Sequence, residues 1–314
     1  MEDYPKTLLE FEERFGTEEA CREYLFKLRW PEGFCCPCCK EVKAWTTSRD
    51  LYKCVRCGFQ ASVTTGTIFQ DTKKPLRLWF RAMWHVTSQK YGANALGLQR
   101  VLGLGSYHTA WTWLHKLRHA MVRPGRERLS GTVDVDETYI GGEKPGKRGR
   151  GAAGKVLVVV MVEVTEGKIG RIRFGRVPDA SGPSLEGAVK EAVESGSTVR
   201  TDAWRGYRRL SEMGYVHEVV RKQADVGKNL LPRVNRVVAL LKRWLLGTYQ
   251  GGVHLSHLDY YLDEFIFRFN RRTSRSRGKL FYRLVEQGVA VDPVLVKDIE
   301  GQRFDRNYST QAES

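Results

Sequence analysis

Six of the seven cysteines lie between Cys35 and Cys57, and only Cys21 stands outside that stretch. They form two tight groups, Cys36-Pro37-Cys38-Cys39 and Cys54-Val55-Arg56-Cys57, with fourteen residues between Cys39 and Cys54. Two Cys-x-x-Cys knuckles at this distance can converge on one tetrahedral ion. Four thiolates suit zinc, a borderline-soft ion with no geometric demand from its d-electrons. The expected site is therefore a zinc ribbon holding one structural Zn2+ on Cys36, Cys39, Cys54 and Cys57, where metal replaces a core too small to stabilise itself. Cys35 and Cys38 offer a rival register; Cys36 and Cys39 are preferred because Pro37 then follows the first ligand, as in many ribbon knuckles. Cys21 reads as a small buried residue.

A second chemistry rests on oxygen donors. Asp136 lies in Val133-Asp134-Val135-Asp136-Glu137-Thr138, and Asp202 in Arg200-Thr201-Asp202-Ala203-Trp204. Asn235 and Lys242 stand seven residues apart, nearly two helical turns, and so project from one helix face. Two carboxylates and an amide carbonyl are ligands for hard Mg2+ or Mn2+. Two such ions would activate the attacking oxygen and stabilise the leaving oxygen of a phosphodiester, with Lys242 holding a phosphate as a point charge.

The elements must bring these residues together. Residues 1–30 read as helical, with Thr17 as an N-cap. The ribbon occupies 31–70. Three helical segments follow, at 76–89, 94–102 and 108–122, within a unit spanning 71–128. Gly103-Leu104-Gly105 breaks the last two, which fits a helix-turn-helix whose final helix carries His108, Thr112, Lys116, Arg118 and His119; an ordinary hairpin with Trp111, Trp113, Leu114 and Leu117 as its core fits as well. From 129 to 288 the pattern changes. Strands are expected at 132–139, 155–164, 169–177, 197–201 and 215–220, with helices at 184–194, near 207–213 and at 232–246; residues 289–314 are a tail. The order βββαβαβα is that of an RNase H-like α/β sheet. In that topology the first strand is central and the fourth lies beside it, so Asp136 and Asp202 meet, and the last helix supplies Asn235. Glu137, on the opposite strand face from Asp136, is the nearest rival ligand.

The composition fits a nucleic-acid partner. Lys and Arg total 52 against 36 acids, a net charge of +16. Two basic stretches stand out: the Gly-rich loop with Lys147, Arg148 and Arg150, and a cluster of Arg268, Arg271, Arg272, Arg275, Arg277 and Lys279. With Lys116 and Arg118 these are the candidate phosphate contacts. Phe265, Phe267 and Phe269 read as core, and His254 and His257 as ordinary polar residues. No apolar run reaches the ~20 residues of a membrane helix, and the acidic start lacks the features of a secretion signal.

The chain resembles insertion-sequence transposases of the DDE superfamily, in the subgroup with an N-terminal zinc ribbon. The resemblance lies in Trp30-Pro31-Glu32-Gly33-Phe34, Cys36-Pro37-Cys38-Cys39, Gly66-Thr67-Ile68-Phe69, Val135-Asp136-Glu137-Thr138-Tyr139-Ile140-Gly141-Gly142, Thr201-Asp202-Ala203-Trp204-Arg205-Gly206-Tyr207, Leu240-Leu241-Lys242-Arg243 and Tyr261-Leu262-Asp263-Glu264-Phe265 running into Arg268-Phe269-Asn270-Arg271-Arg272. It implies a cytoplasmic, nucleoid-associated enzyme that binds inverted-repeat DNA ends, cleaves them and joins the 3′-hydroxyls to target DNA, as a homodimer or larger assembly. It makes Asp136 and Asp202 the first two catalytic acids. Asn235 replaces the Glu that many relatives carry third, a DDNK pattern with Lys242. Two other readings remain: a non-catalytic DNA-binding regulator, and a structure-specific nuclease on the same fold.

Overall fold

The computed structural model describes residues 2–123, 125–141, 154–221 and 230–301. Thr7 and Thr17 open the first two helices, α1 (Leu8–Arg14) and α2 (Glu18–Arg29), by accepting the N–H groups of Glu10 and Ala20 at 3.1 and 3.2 Å. A small antiparallel sheet follows, of β1 (Ala44–Thr46), β2 (Tyr52–Cys54) and β3 (Gln60–Ala61). Trp30, Phe34 and Tyr52 stack between α2 and this sheet, so the ribbon is seated on the helices by aromatic contact.

Three helices come next: α3 (Leu76–Ser88), α4 (Ala95–Leu102) and α5 (Tyr107–Ala120). Gly103 adopts the left-handed conformation that ends α4, φ 62°. The α4–turn–α5 hairpin is thus present, but α5 is not an exposed reading helix. Thr112, His115 and Arg118 are buried along with Trp113, Leu114 and Leu117. Only the first turn of α5, with Tyr107 and His108, is well exposed.

The second sheet has the order β6-β5-β4-β7-β8, built from β4 (Thr132–Ile140), β5 (Val156–Thr165), β6 (Lys168–Val177), β7 (Thr198–Thr201) and β8 (Val216–Val219). The first three strands form an antiparallel meander; β7 then runs parallel to β4, and β8 parallel to β7. Helix α6 (Gly182–Ala192) covers the face bearing Val133, Val135, Val159 and Met161. Helices α7 (Pro232–Tyr249) and α8 (Leu258–Phe269) cover the face bearing Val158, Val160 and Val162. Burial on both faces explains why β5 is a nearly unbroken apolar run. The strand order and the central position of β4 make this an RNase H-like domain.

Two expectations differ from the structure. Between β7 and β8 there is one short 3-10 turn, Arg205–Tyr207, rather than a helix over 207–213. Side-chain packing holds this segment: Tyr207 and Leu210 are buried, and a Cβ on Gly206 would lie 2.6 Å from Leu185 of α6. The second difference is α9 (Arg277–Ala290), which falls inside the expected catalytic segment 129–288 but joins the N-terminal helices. Its Phe281 meets the rings of Phe11, Phe15, Phe80 and Trp84 at 5.3 to 5.8 Å. The sheet face is already covered by α7 and α8, so the apolar side of α9 is buried against α1, α2 and α3 instead. Residues 296–300 form a last short helix, α10 (Val296–Glu300).

One buried polar network joins the two modules. Glu264 of α8 accepts from Arg118 Nε of α5 at 2.8 Å, from Arg268 Nε at 2.8 Å and from the Tyr249 hydroxyl at 3.1 Å. Arg118 is 2% exposed and Glu264 1%. Arg268 also donates to the carbonyls of Val86 and Gln89, tying α8 to the end of α3.

Candidate active site and zinc centre

The four sulfurs of Cys36, Cys39, Cys54 and Cys57 lie within 4.8 Å of one another. Cys36 and Cys57 approach to 3.6 Å, and Cys39 and Cys54 to 3.5 Å. The two knuckles are built alike. Cys36 and Cys54 each donate a backbone N–H five residues ahead, to Glu41 and Phe59, and each accepts from four ahead, from Lys40 and Gly58. Lys40 and Gly58 both have positive φ, 63° and 70°, which turns each knuckle back on itself. Cys35 and Cys38 stand outside the cluster, so the register is Cys36 with Cys39. Burial opposes a charge on Cys36, but the backbone N–H groups of Cys39 and Cys38 outweigh it and bring the thiol to about 7. The donor set fits one structural zinc ion.

The acidic site is set by strand register. Asp134 of β4 pairs with Arg200 of β7 in parallel register. The ladder ends there; Asp136 lies two residues further along β4, and Asp202 one residue past the end of β7. Asp136 pairs across β5 with Val160, on the face covered by α7, whereas Glu137 pairs with Val159 on the α6 face. The strand alternation thus separates the two neighbouring acids as expected. Asp136 Oδ1 accepts the Glu137 N–H at 2.8 Å, and Asp202 Oδ1 accepts the Trp204 N–H at 2.9 Å. Both carboxylates are partly exposed. The Tyr207 hydroxyl donates to Glu137 at 3.0 Å. Burial first, and then the charges of Glu137, Asp136 and Asp202, push that phenol upward and keep it protonated. All three carboxylates therefore lie within electrostatic reach of one hydroxyl.

Helix α7 runs beside β4 in the same direction. Near its start Arg233 reaches Asp134, and further along Lys242 lies within reach of the Lys155 charge, next to the strand pair Ile140 and Val156. Burial and then Lys155 lower the Lys242 ammonium. Asn235 and Lys242 occupy one flank of the buried stripe Val234, Val237, Leu241 and Leu245, and both are exposed. Asn235 thus lies on the stretch of α7 that passes Asp136. Asp134 itself escaped the sequence reading. It is fully buried and receives both Arg200 and Arg233.

The expected DNA contacts divide. Lys147, Arg148 and Arg150 lie outside the described residues. Arg118 is corrected: its guanidinium is buried against Glu264 and over the Tyr261 ring at 4.1 Å, so it supports the module junction. Lys116 is half-buried, and burial lowers its ammonium. Arg271 is half-buried over Phe267, and Arg272 donates to the carbonyls of Ile169, Gly170 and Phe269. Arg275 and Arg277 are exposed.

An acidic pair on adjacent strands of an RNase H-like sheet, preceded by a four-cysteine ribbon, is the architecture of a DDE transposase. Residues 128–270 match the ISXO2-like transposase domain, and residues 16–60 match the transposase zinc-ribbon domain. The chain belongs to the insertion-sequence transposases of the DDE superfamily that carry an N-terminal zinc ribbon. It is 26% identical over 286 residues to an uncharacterized protein in transposable element ISH50 of Halobacterium salinarum, covering 84% of this chain and 94% of that one. Among solved structures, a chain of the simian T-cell lymphotropic virus intasome in complex with the PP2A regulatory subunit B56 gamma aligns over 63% of this chain and 74% of its own, with 15% identity and a TM-score of 0.33. A chain of the Mos1 strand transfer complex aligns over 70% and 78%, with 12% identity and a TM-score of 0.28. No helix among the described residues is long and apolar enough to cross a membrane.

Proposed function

We propose that this transposase binds the inverted-repeat ends of its element, cleaves them and joins the 3′-ends to target DNA at a site made by Asp136, Asp202, Asn235 and Lys242. The observation that supports the reading is that the charges of Asp136 and Asp202 both act on the Tyr207 hydroxyl, beside a parallel β4–β7 ladder whose last pair, Asp134 and Arg200, stands two residues before each aspartate. Two Mg2+ or Mn2+ ions held there would supply Lewis acidity to the attacking and leaving oxygens. The Asp136 and Asp202 carboxylates and the Asn235 amide oxygen supply ligands of the right hardness. Lys242, one flank of α7 further on, holds a non-bridging phosphate oxygen. In the first step a water oxygen bonds to phosphorus and the P–O3′ bond breaks, the 3′-oxygen taking up a proton. In the second, that 3′-hydroxyl loses its proton as its oxygen bonds to a target phosphorus, the target's own P–O3′ bond breaks, and the departing target 3′-oxygen takes up a proton. Arg275 and Arg277, together with Lys147, Arg148 and Arg150, are proposed to track the DNA backbone. Joining two ends at once calls for at least two copies of the chain.

The test is cleavage and strand transfer on an inverted-repeat duplex. Asp136→Ala and Asp202→Ala should each abolish both steps while leaving DNA affinity within about threefold. Metal-dependent cleavage by both variants would refute the site. Asn235 is neutral where a third carboxylate would strengthen metal binding, which favours a second reading, a DNA-binding regulator without catalysis. Duplex binding by the native chain with no cutting or joining in Mg2+ or Mn2+ would establish that reading instead.

A further inference from the structure

We infer that Asp134, Arg200 and Arg233 form a positioning clamp that sets the place of Asn235 relative to the two aspartates. This rests on the proposed site reading. Each member stands two residues before one candidate ligand: Asp134 before Asp136, Arg200 before Asp202, and Arg233 before Asn235. Arg200 donates to Asp134 Oδ1 at 2.8 Å, and Arg233 donates to Oδ2 at 3.3 Å. Both oxygens of a fully buried carboxylate are thereby committed, one to β7 and one to α7. Arg233 Nε also donates to the Gly167 carbonyl at 3.0 Å, in the turn between β5 and β6.

The clamp answers a mechanical need. Strands β4 and β7 are held in register by a ladder that ends at the Asp134–Arg200 pair, two residues before Asp136 and Asp202. Helix α7 has no ladder to the sheet. Its buried side is the apolar stripe Val234, Val237, Leu241 and Leu245, and such contact is non-directional and does not fix a helix along its axis. Among the described residues no side chain caps the start of α7 either; its N-cap position is Leu231. The charge-assisted bonds of Arg233 are a directional link from this helix to the strand that carries Asp136. A displacement of ~1 Å at a reacting group is enough to cost about a hundredfold in rate. Trp244 and Thr248 tie the far end of α7 to the Tyr91 carbonyl, and Arg233 ties the end that carries Asn235.

The test is Mn2+ binding by the zinc-loaded full chain, followed by electron paramagnetic resonance of the free ion, which requires no turnover. Arg233→Gln is expected to weaken binding of the second Mn2+ about tenfold, and Asn235→Ala by a similar factor. The double variant should be no weaker than Asn235→Ala alone, because the arginine acts through that residue. Arg233→Lys, which keeps the charge, should recover part of the loss, while Arg200→Lys offers a second entry to the same carboxylate. Binding that is lost in Asp136→Ala but unchanged in Arg233→Gln would overturn the clamp alone. So would losses that multiply in the double variant. Binding that Asp136→Ala does not weaken would overturn the site reading, and the clamp with it.

Discussion

Replacing Glu264 with Gln tests the junction between the two modules. The substitution keeps the shape of the side chain and removes its charge. Arg118 is 2% exposed, so its guanidinium has no route to water once the carboxylate is gone. Arg268 is less affected, because it is 13% exposed and keeps the Val86 and Gln89 carbonyls. The cost is that of one uncompensated buried cation, about 3–5 kcal/mol. For a chain of this size that corresponds to a fall in melting midpoint on the order of 10 °C. The assay is thermal unfolding followed by circular dichroism, at several pH values. Burial raises the Glu264 carboxyl, but Arg268 and Arg118 outweigh it and hold it below its ordinary value of 4.5. A depressed carboxyl stabilises the fold above its unfolded value, and that contribution is lost as pH falls through its folded value. The gap between native and variant should therefore be full at neutral pH and shrink below about 4.5. A second variant, Arg118→Met with Glu264→Leu, removes both charges and should recover most of the loss. A Glu264→Gln protein within 1 kcal/mol of the native one at pH 7, or a gap that grows with acid, would refute the reasoning.

Other outcomes follow from the same structure. Metal analysis should find one zinc per chain, lost in Cys36→Ser and retained in Cys35→Ser and Cys38→Ser. His115 is fully buried, with no hydrogen-bond partner for either ring nitrogen among the described residues, and burial, then Arg118 and His257, hold its pKa at about 2. Between its ordinary 6.5 and that value the unfolded chain binds a proton that the folded one refuses, so stability falls as pH drops through this window. From pH 6.5 to 5, denaturant unfolding of His115→Met should lose about 2 kcal/mol less than that of the native chain. Phe281→Ala should cost about 3–5 kcal/mol, read by the same denaturant titration, because four rings of the N-terminal core close on that side chain.

Local pattern carried the sheet half of the molecule well. Alternation along β4 was enough to put Asp136 and Glu137 on opposite faces, and the order of strands was enough to put β4 beside β7. The ribbon was equally plain in its chemistry, but Cys35 and Cys38 have the same spacing as Cys36 and Cys39. Only the folded knuckles, with Lys40 and Gly58 turning at their ends, separate the two. Helix α5 misled for a different reason. A basic stripe at helical spacing reads as a solvent face unless its counter-charge is visible, and the partner of Arg118 stands at position 264. The return of α9 to the N-terminal core is likewise a long-range pairing that no window along the chain contains. Asp134 did leave a trace, the repeated two-residue offset before each candidate ligand, but its ion pairs show only once Arg200 and Arg233 are brought to it by the fold.

The placement of α9 has a consequence for how the chain is made. A ribosome releases α1, α2 and α3 first, yet the ring at the centre of their core belongs to Phe281. The zinc ribbon can close as soon as Cys57 emerges, since metal rather than a large core holds it. The helices around it lack the ring that Phe11, Phe15, Phe80 and Trp84 close on until the entire sheet domain has been synthesised. A chain terminated between Cys57 and Phe281 would carry a finished ribbon on an unfinished helical base. Completion of the N-terminal module thus waits until translation has passed the whole sheet domain.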